Sequence, residues 1–194
     1  DAVYPSARNF KVQNTDKSVA ISFDIIDRFG SVSGNVLSII DISGTPIFNQ
    51  YFGNTSEGLQ PSRLDSILPL NGRWWLGGSL ADNATQAAHA VISSVDETTG
   101  ELSAPITLSE RYRGTGNVQL ALANDTTFAA LYRTQTEAAQ PFIFDWSLAT
   151  VNIETKEIST PIPIFSTPNE RATLNVVASD GYIAVAIPDP TNPT

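Results

Sequence analysis

Cysteine is absent from the 194-residue sequence, and so is methionine. The first absence excludes disulfides and thiolate chemistry, while leaving the compartment open. The second extends to position 1, so a chain that begins Asp1-Ala2-Val3-Tyr4 reads as a processed product or an excised piece. Histidine occurs once, at His89. A lone histidine gives zinc no ligand set, and no Gly-x-Ser-x-Gly elbow is present for it to serve in a triad. Glycine-rich loops that cradle phosphate ahead of a helix are missing. No apolar run approaches the roughly 18 residues of a membrane span. Nor does a signal peptide remain, as in a mature secreted chain. Positive charge is scarce: 11 Lys and Arg stand against 20 Asp and Glu, for a net charge of −9. Nucleic acid and anionic membranes both require a basic face, so neither is an expected partner. No segment shows a helical apolar period with caps.

Apolar residues make up 41% of the chain, enough for a packed core. They are organised as a repeat. One hairpin recurs at Phe10–Asp27, Leu64–Asp82, Val118–Gln135 and Leu174–Pro190, with starts 54, 54 and 56 residues apart. An Asx residue marks the turn each time: Asp16, Asn71, Asn124 and Asp180. Asn71-Gly72 and Asp180-Gly181 are tight-turn pairs, because both central residues need positive φ. A second hairpin recurs at Val36–Phe48, Ala90–Ile106 and Phe144–Ile162, turning at Asp41, Asp96 and Asn152. Each copy then has Pro-Ile in its outgoing strand, at Pro46, Pro105 and Pro161. Proline lacks a ladder donor, so this fourth strand is expected at a sheet edge. Runs such as Val19-Ala20-Ile21 and Phe128-Ala129-Ala130-Leu131 imply strands covered on both faces. Val19, Ile21, Phe23, Trp75, Leu76, Phe128, Ala130, Ile183 and Val185 are the expected core. Trp74 and Trp75 are neighbours and must point to opposite faces.

Antiparallel four-stranded units of about 54 residues stacked face to face resemble β-propeller blades. The Val95–Gly100 turn is similar to those of Kelch and quinoprotein-like blades, and Gly77-Gly78 resembles the Kelch double glycine. Only this unit carries that pair, and neither a WD dipeptide nor a sialidase Asp box occurs. The resemblance is to the superfold and to no single family. It implies an all-β fold, a β-propeller or propeller fragment, with a β-sandwich as the alternative. The expected layout is one domain over 1–194, with blades at 9–53, 63–109 and 117–166 and a half blade at 173–194. Three and a half blades cannot close a ring, so further sequence, a second chain or self-association is expected to complete it.

Candidate sites follow from this layout. Arg8, Arg63, Arg113 and Arg171 each sit just before a first strand, on one expected face. Guanidinium groups gathered there would suit a carboxylate, sulfate or phosphate, although pairing with neighbouring carboxylates or carbonyls is the simpler role. Asp16, Asp41, Asp96 and Asp180 lack calcium-loop spacing and suit Asx turns instead. Asn54, Asn83 and Asn124 open N-glycosylation sequons in expected turns or loops. Carboxylate pairs for glycoside hydrolysis are judged only by their separation in space. Tyr112, Tyr132 and Trp146 suit packing better than sugar stacking. No catalytic residue, metal or cofactor is assigned. The expected function is a secreted, cell-surface or lumenal binding or scaffold module for a protein or glycan. The alternative is a glycan-acting hydrolase or lyase at the channel mouth.

Overall fold

The computed structural model describes residues 6–27, 32–53, 63–82, 87–109, 116–135, 142–168 and 172–187. They are all-β. The first sheet has the order β1 (Ser6–Asn14), β2 (Ser18–Ile26), β3 (Val32–Asp41), β4 (Pro46–Gly53). The second runs β5 (Arg63–Leu70), β6 (Arg73–Asp82), β7 (Ala87–Asp96), β8 (Ile106–Thr107). The third runs β9 (Gly116–Asn124), β10 (Thr127–Gln135), β11 (Phe144–Asn152), β12 (Ile162–Thr167). A two-stranded hairpin, β13 (Asn175–Ser179) and β14 (Tyr182–Ala186), follows. All pairings are antiparallel. The fourth strand lies at the edge of each four-stranded sheet; Pro46 opens β4, while Pro105 and Pro161 stand immediately before β8 and β12.

Local chemistry sets the turns. Asn71-Gly72 and Asp180-Gly181 have positive φ at both positions, the condition for a twisted two-residue hairpin. At the second turn, the side-chain oxygen of Asp41, Asp96 or Asn152 accepts backbone N–H groups of the residues that follow. Gly44, Gly100 and Lys156 supply the left-handed residue that closes each of these turns.

The core lies between sheets. Trp74 faces the first sheet and packs with Leu37, Ile39 and Phe52. Trp75 faces the third, with Phe128 at a ring separation of 5.4 Å. Leu131 and Trp146 pack against Leu174 and Val176 of the hairpin. One expectation fails here. Val19, Ile21 and Phe23 are only half-buried, because the buried face of β2 is made by Ser18, Ala20 and Ser22. Alternation along β2 therefore puts the larger residues on the side away from the second sheet. Ile183 and Val185 are likewise partly buried, packed against the third sheet.

Candidate functional site

The first strands β1, β5 and β9 are each interrupted by a bulge near their start. The extra residue re-aims side chains toward the strip where the three strands lie side by side. Asn9 and Asn117 adopt left-handed conformations there, which asparagine tolerates better than other non-glycine residues. Gly78 is required by the same geometry: a Cβ on it would overlap the Arg63 carbonyl oxygen. Gly77 is pressed by Ser66 and Val118, whose hydroxyl and carbonyl are joined at 2.8 Å.

A cavity of about 460 Å³ opens on this strip. Its lining repeats with the chain. Asn9, Phe10 and Lys11 come from the first repeat, Arg63, Leu64 and Asp65 from the same positions of the second, and Asn117 and Gln119 from the third. Asp24 of β2 completes it. The apolar position is kept across repeats, but the polar ones are not: Asn, Arg and Asn alternate at one, Lys, Asp and Gln at the other.

Each polar group has a defined setting. Asp65 is almost wholly buried and pairs with Arg63 Nε at 3.0 Å. Its other oxygen accepts the Val118 N–H at 3.0 Å. Burial pushes its pKa up, against the opposing pull of Arg63, the backbone N–H groups and Lys11. The Lys11 ammonium donates to the Asp65 carbonyl at 2.6 Å. Asp24 accepts Asn9 Nδ2 at 2.7 Å and also accepts the buried Asn35 amide. Asn35 in turn accepts the Leu64 N–H at 2.9 Å, tying Asp24 to the second sheet. Gln119 donates to the Leu174 carbonyl at 2.6 Å and accepts the Val176 N–H. The Asn117 side chain lines the cavity. Two carboxyls, two cations and several amides thus meet around a single opening. Such a set can hydrogen-bond a polyhydroxylated ligand and move a proton.

Of the four arginines picked from sequence, Arg63 lines the cavity and Arg8 is exposed on β1 outside the lining. Arg113 and Arg171 lie outside the described residues, as do Asn54 and Asn83. Asn124 is exposed in the β9–β10 turn, its oxygen engaged by Thr126. His89 is half-buried and contacts the Ser109 carbonyl at 3.0 Å. The Asp41 carboxylate accepts the Ser43 hydroxyl and the Thr45 and Ser43 N–H groups, and the Asp96 carboxylate accepts the Thr99 and Thr98 N–H groups; these hydrogen bonds hold both pKa values below the ordinary range. Tyr132 and Trp146 are core residues. Among the described residues, no group of three or more His, Asp or Glu is placed to hold a metal ion. No helix there is long and apolar enough to cross a membrane. Asn9, Lys11, Asp24, Asp65, Asn117 and Gln119 were not singled out from sequence. The available signal was a dissimilar polar residue flanking the conserved apolar position in each repeat.

No protein-family model and no curated protein sequence matches the chain. Solved structures do. An α-L-arabinofuranosidase from Fusarium graminearum, in complex with an iminosugar inhibitor, matches with a TM-score of 0.55 at 11% identity, over 88% of this chain and 53% of that one. A mutant of that enzyme with an iminosugar inhibitor matches with a TM-score of 0.54 at the same identity. The chain therefore spans about half the length of the structures it matches. At this identity the likeness is one of fold: antiparallel four-stranded sheets in a propeller-like arrangement.

Proposed function

We propose that this chain acts on glycans and that the sugar binds in the cavity between the first strands of its three sheets. The observation that carries the reading is the lining itself. Three repeats that share an apolar framework place unlike polar groups at matching positions, one of them the Asp65 carboxyl, and β2 adds a second carboxyl, Asp24. A purely structural repeat has no need of that chemical asymmetry. The fold shared with an arabinofuranosidase adds support of a weaker kind, because fold alone does not fix function. Arg63, Lys11 and Asn117 offer donors to the hydroxyls of a sugar. For hydrolysis, Asp65 is the natural proton donor, since burial favours its protonated form. Asp24, oriented by Asn9 and Asn35, is the second carboxylate. An extracellular or lumenal site of action goes with this reading, as do the acidic composition and the three sequons.

The test is binding and turnover together. Titration with neutral and acidic oligosaccharides, arabino-oligosaccharides included, is expected to perturb resonances of Asn117 and Lys11. If the chain is hydrolytic, Asp24→Asn should lower turnover of the bound sugar by about 10²–10⁴-fold while leaving the fold intact. Binding without turnover would reduce the reading to a glycan-binding module. No binding by any sugar in the panel would remove it.

A further inference from the structure

Each repeat sets an apolar residue at one equivalent point in its first strand or, for Leu174, immediately before it: Phe10, Leu64, Val118 and Leu174. In three repeats that residue is buried against the sheet before it: Leu64 is 6% exposed, Val118 and Leu174 0%. Phe10 is 62% exposed, and Val12 beyond it 63%. The same side of the first sheet continues through Ile21, opposite Val12, and Phe23, whose ring lies 5.2 Å from that of Phe10. Among the described residues, no sheet lies upon this inter-sheet face. At the other end of the molecule, the β13–β14 hairpin buries Val176 against the third sheet and turns Val177 and Tyr182 outward, 65% and 82% exposed.

We propose that these two faces meet between two copies of the chain. The bare face of the first sheet in one copy receives the outer face of β13–β14 in the other, and the reverse. The contact is head-to-tail and closes after two copies into a twofold ring about a shared channel. Three observations select a second copy as the occupant. One chain carries both halves of the contact. The face is the one that this repeat uses three times already to stack sheet on sheet. The chain matches 53% of the length of the arabinofuranosidase, so two copies supply about the length of one such chain. The outward positions of the hairpin (Asn175, Val177, Ser179, Tyr182, Ala184 and Ala186) carry no charge, so two acidic chains meet there without like-charge contact. The pairing also sets the first strands of the second copy across the channel from the cavity. It does not depend on what the cavity binds.

Sedimentation of the purified chain at tens of micromolar tests this. The expected particle has twice the 20.8 kDa of one chain. Val12→Glu and Val177→Glu should each give the single-chain mass with an unchanged circular dichroism spectrum. Ile42→Glu, on the exposed β3–β4 turn, should leave the dimer intact. If Val12→Glu fails to fold, Tyr182→Glu decides, since an 82%-exposed side chain has almost no packing to lose. A wild-type chain of 20.8 kDa, or a dimer unmoved by these variants, overturns the proposal and assigns the face to some other polypeptide.

Discussion

At the scale of single residues, the two neighbouring tryptophans are the sharpest case. They read from sequence as pointing to opposite faces, and they do. Their polar ends differ in a way that sequence does not show. Trp74 Nε1 donates to Ser18 at 2.9 Å, and Ser18 donates to Glu97 at 2.7 Å, within a buried network that links two sheets. Trp75 Nε1 is buried without a partner. Replacing Trp74 by Phe should therefore cost about 1–3 kcal/mol by leaving Ser18 short of a donor, and Trp75→Phe should cost less. Trp75→Ala should cost about 3–5 kcal/mol, as for other large buried aromatics. Urea unfolding of the three variants orders them. The carboxylates make a second prediction. Asp96 has a lowered pKa, so the stability it contributes is present above its ordinary pKa of 3.8 and is lost as pH falls through the lowered value. Asp96→Asn should keep the turn, as Asn152 does in the third repeat, and flatten that acid limb. Asp65 has the opposite sign. Its raised pKa contributes stability below 3.8 that is lost as pH rises through the folded-state value. Asp65→Asn should remove that decline, read from urea midpoints across the acid-to-neutral range. Nothing local in the sequence marks Asp65 as buried: the neighbours that desolvate it come from repeats before and after its own.

At the scale of elements, strand number, strand order and turn chemistry were legible, because alternation, Asx-Gly pairs and edge prolines are local signals. The bulges were not. A bulge depends on how the first strand meets its neighbour, and it is the bulges that aim Asn9, Asp65 and Asn117. Gly77-Gly78 was visible as a pair, but its purpose was not. Each glycine makes room for a different neighbour. At Gly78 an added Cβ meets the Arg63 backbone carbonyl; at Gly77 the nearest atom is the Ser66 hydroxyl, 2.5 Å away. A hydroxyl rotates where a carbonyl in a strand does not. Gly78→Ala should therefore cost more stability than Gly77→Ala, at about the 1–3 kcal/mol typical of overpacking. It should also move the amide resonances of Arg63 and Asp65, because the strain falls on the bulge that carries them. Equal costs, with no change at Arg63, would show that the bulge relaxes freely and does not set the cavity.

At the scale of the whole molecule, stacked sheets that contact only their neighbours divide stability unevenly. Strands β6 and β10 are covered on both faces by other sheets and paired on both edges. Strand β1 is exposed along its length, β8 has two residues, and β14 has a free edge. Local opening should follow this order. Amides of β6 and β10 should exchange slowest, near the rate of global unfolding, and those of β1 and β14 fastest. The order follows from position in the stack rather than from composition: Ile183 and Val185 on β14 are as apolar as any residue of β6, yet only one side of their hairpin is covered. The alternating apolar residues there were readable in the sequence as a core strand, because sequence reports what a strand is fit to bury and not how fully its neighbours cover it. Exchange measured at dilution, where single chains prevail, isolates the effect. If β1 and β14 are then as protected as β6, the stack is held by something other than face-to-face burial. If their protection instead rises with protein concentration while that of β6 does not, the bare faces are closing on one another.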